Sequence, residues 1–145
     1  MSQRSQVNHD RTKFFVKARF KNFVYAFTGI KNFFNSQHNA WIHLLGTMVV
    51  VFLAMIFHIS NSEVVALTFA IGFVWVSELF NTAIEKIMDF ISVERNQKIK
   101  IIKNLSAAAV LVAAITALTV GCIVFIPKII LCVGSNLLSP DISRF

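Results

Sequence analysis

Long uncharged apolar stretches alternate along the chain with short polar breaks. No Asp, Glu, Lys or Arg occurs between Lys31 and Glu63, between Glu63 and Glu78, or between Lys103 and Lys128, and each gap is rich in Val, Ile, Leu, Ala and Phe. A helix needs about 20 apolar residues to cross the hydrocarbon core of a bilayer. The first gap supplies a run over about 40–59 and the third over about 105–126. The second is long enough only if its helix continues past Glu78, giving 64–87. The pattern predicts an all-α integral membrane protein with three transmembrane helices.

A different periodicity precedes the first span. Val16, Phe20, Phe23, Val24, Phe27, Ile30 and Phe34 recur at helical spacing, while Lys17, Lys21, Thr28, Lys31 and Asn32 fall largely on other faces. Residues 14–35 therefore read as an amphipathic helix. Its aromatic stripe and basic residues suit the membrane interface, and the same stripe would also serve a helix that packs on the other three. Residues 1–13 read as a disordered polar lead and 128–145 as a C-terminal tail with no assignable chemistry, leaving 14–127 as the domain. The first apolar span begins some forty residues in, too deep for the apolar core of a cleavable signal.

Composition and charge sharpen this picture. Of the 145 residues 56% are hydrophobic and 14% charged, against about a quarter charged in a soluble domain. The net charge of +7 would suit nucleic acid, but beside membrane spans its natural counter-charge is the anionic lipid headgroup. Seven of the 14 Lys and Arg precede the first span and five lie from Lys86 to Lys103, whereas the loop around His58 has none. The positive-inside rule then predicts a cytoplasmic N-terminus and second loop, with the first loop and the C-terminus outside. Cys122 and Cys132 fall towards the outer end of the last span or beyond it, without metal-ligand or catalytic spacing.

Three of the seven acids, Glu78, Glu85 and Asp89, fall within twelve residues at the end of the second span. At about 100° per residue, Asn81, Glu85 and Asp89 lie within about 60° of Glu78, so four oxygen-bearing side chains share one stripe. Ionisable groups inside a span are costly and point to function. Counted from Val64 at about 1.5 Å per residue, Glu78 is about 21 Å deep and Glu85 about 31 Å, at the cytoplasmic side. Seven residues separate the two carboxylates by about 10 Å along the axis, which favours separate roles. Glu85, facing water, can hold Mg²⁺, which takes oxygen ligands and brings phosphates with it. Glu78, at the height of a lipid hydroxyl, can act as a general base. Lys98, Lys100 and Lys103 can neutralise phosphate. The same carboxylates could equally pair with those lysines and simply hold a helix bundle together.

The run Glu78-Leu79-Phe80-Asn81-Thr82-Ala83-Ile84-Glu85, with Asp89 after it, resembles the signature of the prokaryotic diacylglycerol kinase and undecaprenol kinase family, E-x-x-N-[ST]-A-[IL]-E-x-x-x-D. The likeness extends to Tyr25-Ala26 and Gly29, to Asn39 and Ile42-His43, and to Lys103 with Ala107-Ala108-Ala109-Val110, over roughly 14–127. The resemblance implies a small kinase of the bacterial inner (cytoplasmic) membrane, multi-pass and homotrimeric, with sites built between subunits. Such enzymes move the γ-phosphate of Mg-ATP to a lipid alcohol, diacylglycerol or undecaprenol, in phospholipid or lipid-carrier metabolism. Carried over, Glu78 is the catalytic base and Asn81 a positioning residue. Tyr25, Glu85, Glu94, Lys103 and Asn104 contact nucleotide, Glu85 and Gln37 the metal, and Glu78 and Asn39 the lipid. The implied partners are ATP, Mg²⁺, the lipid substrate, the bilayer and further copies of the chain, not nucleic acid. The lack of a G-x-x-x-x-G-K-[ST] loop does not count against a kinase of this type.

Three positions depart from the family pattern. Gln37 stands where the family has its other metal-binding Glu, Asn104 where it has Asp, and Trp41 where a basic residue is common. The first two remove formal charge from the Mg²⁺ and phosphate sites and motivate an alternative, a catalytically impaired member that binds nucleotide or lipid without efficient turnover. A proton-coupled transporter using Glu78 fits less well, because transporter sites sit near the midplane. Among the remaining polar residues, His43 reads as a packing or hydrogen-bonding side chain, His38 as interfacial, and Asp89 as an anchor of the helix end or a partner for a loop lysine. Trp41 and Trp75 read as interface or packing aromatics, and Ala107–Ala109 as a surface for close helix approach.

Overall fold

The computed structural model describes the backbone of residues 2–92 and 96–137, and the side chains of residues 19–92 and 96–134. Four helices follow one another: α1 (Ser2–Ser36), α2 (His38–Ile56), α3 (Asn61–Ile91) and α4 (Gln97–Leu137). The last three are long and apolar enough to span a membrane, as the charge gaps predict. The chain divides into two compact units, Met1–His38 and Asn39–Phe145.

In the first unit α1 begins at Ser2, where a disordered lead over 1–13 was expected. No Gly or Pro occurs before Gly29, so nothing in the sequence breaks the helix in that stretch. Phe20, Phe23, Val24 and Phe27 are all exposed, and an apolar face of this kind calls for lipid or protein cover. Lys21 places its ammonium 5.8 Å from the centre of the Tyr25 ring, and Phe33 meets Phe34 edge to face.

In the second unit the turn between α2 and α3 is built by specific residues. His58 adopts a left-handed backbone (φ 46°), which His tolerates better than most side chains. Ser60 then caps α3 reciprocally with Glu63, the Ser60 amide donating to the carboxylate at 2.7 Å and the Glu63 amide to the hydroxyl. Glu63 also meets Lys128 of α4 at 3.2 Å, which ties the start of α3 to α4. Beneath this end Leu67, Val124 and Phe125 form a small core, with the Phe57 and Phe125 rings 6.3 Å apart. At the other end Asn96 caps α4, its side-chain oxygen accepting the Lys98 amide at 2.8 Å.

The helices outrun the predicted spans. α3 continues to Ile91, not 87, and α4 runs from Gln97 through Pro127 to Leu137, absorbing part of the expected tail. Charge ends a lipid-facing segment, but it does not end a helix. Lysines continue a helix readily, and proline is tolerated inside membrane helices. At about 1.5 Å per residue α3 is about 46 Å long, so it extends beyond a hydrocarbon core of about 30 Å and carries its acidic end to the interface. Most large apolar side chains on α2, α3 and α4 are exposed. That is the expected surface for helices whose solvent is lipid, where burial of apolar area no longer drives association.

Candidate functional site

The buried face of α3 changes chemistry along its length. Leu67, Ala70 and Val74 are buried first, then Glu78, Asn81 and Thr82, continuing one stripe at spacings of three and four. The same periodicity that packs the apolar half therefore turns the polar residues inwards, where each needs a partner.

Glu78 is 2% exposed and receives its partner from α2, with His43 Nε2 lying 2.8 Å from Glu78 Oε1. One turn along α2, the Thr47 hydroxyl donates to the His43 carbonyl at 2.8 Å and accepts the Trp75 indole N–H at 3.1 Å. α2 and α3 are thus joined by two polar contacts. The expected hydrogen-bonding role of His43 is realised, and Trp75, expected as interface or packing, also bonds across the helices.

Asn81 is a second junction. Its amide donates to Glu85 Oε1 at 3.2 Å, and its carbonyl accepts the Ser106 hydroxyl of α4 at 2.7 Å. Ser106 is buried and also lies 2.9 Å from the Lys103 carbonyl. Asn81 therefore links α3 to α4 and orients the Glu85 carboxylate. The stripe ends at Asp89, which pairs with Lys103 at 2.7 Å, the pairing with a loop lysine anticipated for it. Glu85 is half-buried at the exposed end of the stripe and presents the carboxylate oxygens that Mg²⁺ takes. Mg²⁺ is typically held by one or two carboxylates with phosphates completing its shell, and this donor set fits that pattern. Among the described residues no three His, Cys, Asp or Glu converge.

The other expected site residues are distributed as follows. Asn39 and Asn104 are exposed in the second unit, and Tyr25 and Gln37 belong to the first, Tyr25 exposed and Gln37 half-buried. The expected nucleotide contact Glu94 lies outside the described residues. Sequence reasoning missed Ser106. Its only signal was a lone hydroxyl within an Ala-rich run, with nothing to mark Asn81 as its partner 25 residues away. Between α3 and α4 an apolar groove of about 660 Å³ opens past Phe73, Ser77, Phe80 and Leu105, and Asn81 and Ser106 lie in its wall.

Comparison with known proteins places these residues in context. A family model described as prokaryotic diacylglycerol kinase matches residues 24–125. The chain is similar to the diacylglycerol kinase of Synechocystis sp. (strain ATCC 27184 / PCC 6803 / Kazusa), 33% identical over 110 residues that cover 75% of this chain and 63% of that protein. It is also similar to the undecaprenol kinase of Bacillus subtilis (strain 168), 31% identical over 110 residues, 76% of this chain and 89% of that protein. The aligned region thus spans somewhat under two thirds of the cyanobacterial relative.

Proposed function

The chain belongs to the prokaryotic diacylglycerol kinase family, and on that premise we propose that it transfers the γ-phosphoryl group of ATP to the hydroxyl of a membrane lipid at the cytoplasmic interface. The observation that carries this reading is the buried carboxylate of Glu78, held by His43 and followed one turn later by the Asn81–Glu85 pair. In the proposed reaction the lipid hydroxyl loses its proton to Glu78 as its oxygen bonds to the γ-phosphorus. The bond from that phosphorus to the β-phosphate bridging oxygen breaks, and ADP leaves. Asn81 orients Glu85, and Glu85 would hold Mg²⁺, which supplies charge neutralisation for the phosphates; the metal role of Gln37 rests on the resemblance. Lys103, Asn104, Tyr25 and Glu94 contact nucleotide and Asn39 the lipid, roles that rest on the resemblance. Positioning and charge neutralisation carry most of the catalysis in phosphoryl transfer.

The relatives' names offer two substrates, diacylglycerol and undecaprenol. The groove beside Asn81 is apolar enough for either chain. The purified protein in mixed micelles, supplied with Mg²⁺ and γ-labelled ATP, is expected to label one of the two lipids. No labelled lipid with either would overturn the reading. A second reading, an impaired member that binds without efficient turnover, is favoured by the amides at Gln37 and Asn104. In either case assembly as a homotrimer is proposed on the family resemblance alone.

The cytoplasmic N-terminus is part of the same proposal, since ATP must reach the Glu85 end of α3. Cys132 lies on α4 about 44 Å from Lys103 at about 1.5 Å per residue, well beyond a core of about 30 Å. A membrane-impermeant maleimide added to intact cells is expected to label a Cys122→Ser variant at Cys132. Labelling that occurs only after the membrane is opened would reverse the orientation.

A further inference from the structure

We propose that His43 is a positioning residue for Glu78, an inference that rests on the lipid kinase reading above. The Glu78 side chain is 3% exposed and that of His43 22% exposed, with 2.8 Å between Nε2 and Oε1. A carboxylate buried at this depth needs a hydrogen-bond partner, and His43 Nε2 lies within reach of it. Donation requires the proton on Nε2. With Oε1 held in that bond, Oε2 is the oxygen that takes the proton of the lipid hydroxyl. The backbone that carries the imidazole is held, because Thr47 bonds the His43 carbonyl and accepts from Trp75 of α3, which joins this turn of α2 to α3. His43 therefore sets which way the base faces without touching the substrate.

No other ionisable residue lies in α2 beyond His38 at its first position. The place of His43 in an otherwise charge-free span is hard to explain by packing alone. A residue that only joined α2 to α3 would alter assembly or substrate binding when lost. A residue that orients the base would alter turnover, and a side chain able to donate the same bond would restore it.

The test compares His43→Leu, which removes the donor at similar volume, with His43→Gln, which keeps an N–H donor at similar reach. Each is purified in detergent and assayed with Mg-ATP and the lipid that the wild-type protein phosphorylates. His43→Leu is expected to lower kcat about tenfold, with KM for ATP and for lipid within about twofold, since a hydrogen bond to a charged group is at stake. His43→Gln is expected to stay within about threefold of wild type. A kcat for His43→Leu within about twofold of wild type, or His43→Gln no better than His43→Leu, would overturn the proposal. Should His43→Leu fail to elute as the wild-type assembly, His43→Asn, whose side chain is too short to reach Glu78, takes its place in the comparison. A wild-type protein that phosphorylates no lipid removes both this proposal and the reading beneath it. An active wild type indifferent to His43 removes this proposal alone.

Discussion

Glu78→Gln is expected to reduce lipid phosphorylation by about a thousandfold, within the 10²- to 10⁴-fold that general-base catalysis contributes. The substitution changes one oxygen to an amide nitrogen and leaves the rest of the side chain in place. The remaining amide oxygen can still accept from His43 Nε2, the bond seen at 2.8 Å, so α2 and α3 keep their junction. What is lost is the ability to take a proton. Initial rates with γ-labelled ATP at saturating lipid should collapse while the ATP concentration for half-maximal binding, read by a fluorescent analogue, moves less than twofold. A variant keeping a tenth of wild-type turnover would exclude Glu78 as the base and return the stripe to a structural role. The contrast with His43 is informative. Removing a positioning residue slows the base, whereas removing the base ends the reaction, so the two losses should differ by about a hundredfold.

Much of this arrangement was legible in the sequence, because depth and helical phase are properties of one segment at a time. Charge-free gaps located three spans, and the 3.6-residue period put Glu78, Asn81, Glu85 and Asp89 on one stripe before any partner was known. The structure turns the upper part of that stripe inwards, burying Glu78 and Asn81 and leaving Asp89 exposed beside Lys103. The capping box at Ser60 and Glu63 also has a sequence signature of its own. Contacts between helices have none. His43 meets Glu78 across 35 residues and Ser106 meets Asn81 across 25, and no periodicity within either helix fixes the rotation and register of the pair. A hint was present for His43, since an ionisable side chain inside a span points to function on cost alone. Ser106 had no such hint. A hydroxyl in a membrane helix can satisfy itself on its own backbone, as Thr47, Thr68 and Thr116 do.

The pair of amides at Gln37 and Asn104 should be the most responsive positions for gain of function. Gln37→Glu with Asn104→Asp is expected to lower the Mg²⁺ concentration for half-maximal rate roughly thirtyfold, taking about 1 kcal/mol for each restored charge, somewhat below the range of about 1.5–3 kcal/mol for hydrogen bonds to charged groups, with about 1.4 kcal/mol per tenfold. Both changes conserve shape, so the effect reads charge. Asn104 is exposed on α4 beside Lys103, where an added carboxylate meets little desolvation cost, and the net charge of +7 leaves the chain cationic after both substitutions. The measurement is a Mg²⁺ titration of initial rate at fixed ATP for the wild type, each single variant and the pair. If the amides impair the enzyme, the double variant should also raise the rate at saturating Mg²⁺. If the wild-type protein already turns over briskly, only the Mg²⁺ requirement should fall. A double variant unchanged in both would mean that neither position senses the cation or the phosphates. Glu85 would then be the one carboxylate proposed for the metal, with ATP itself bringing the rest of the shell.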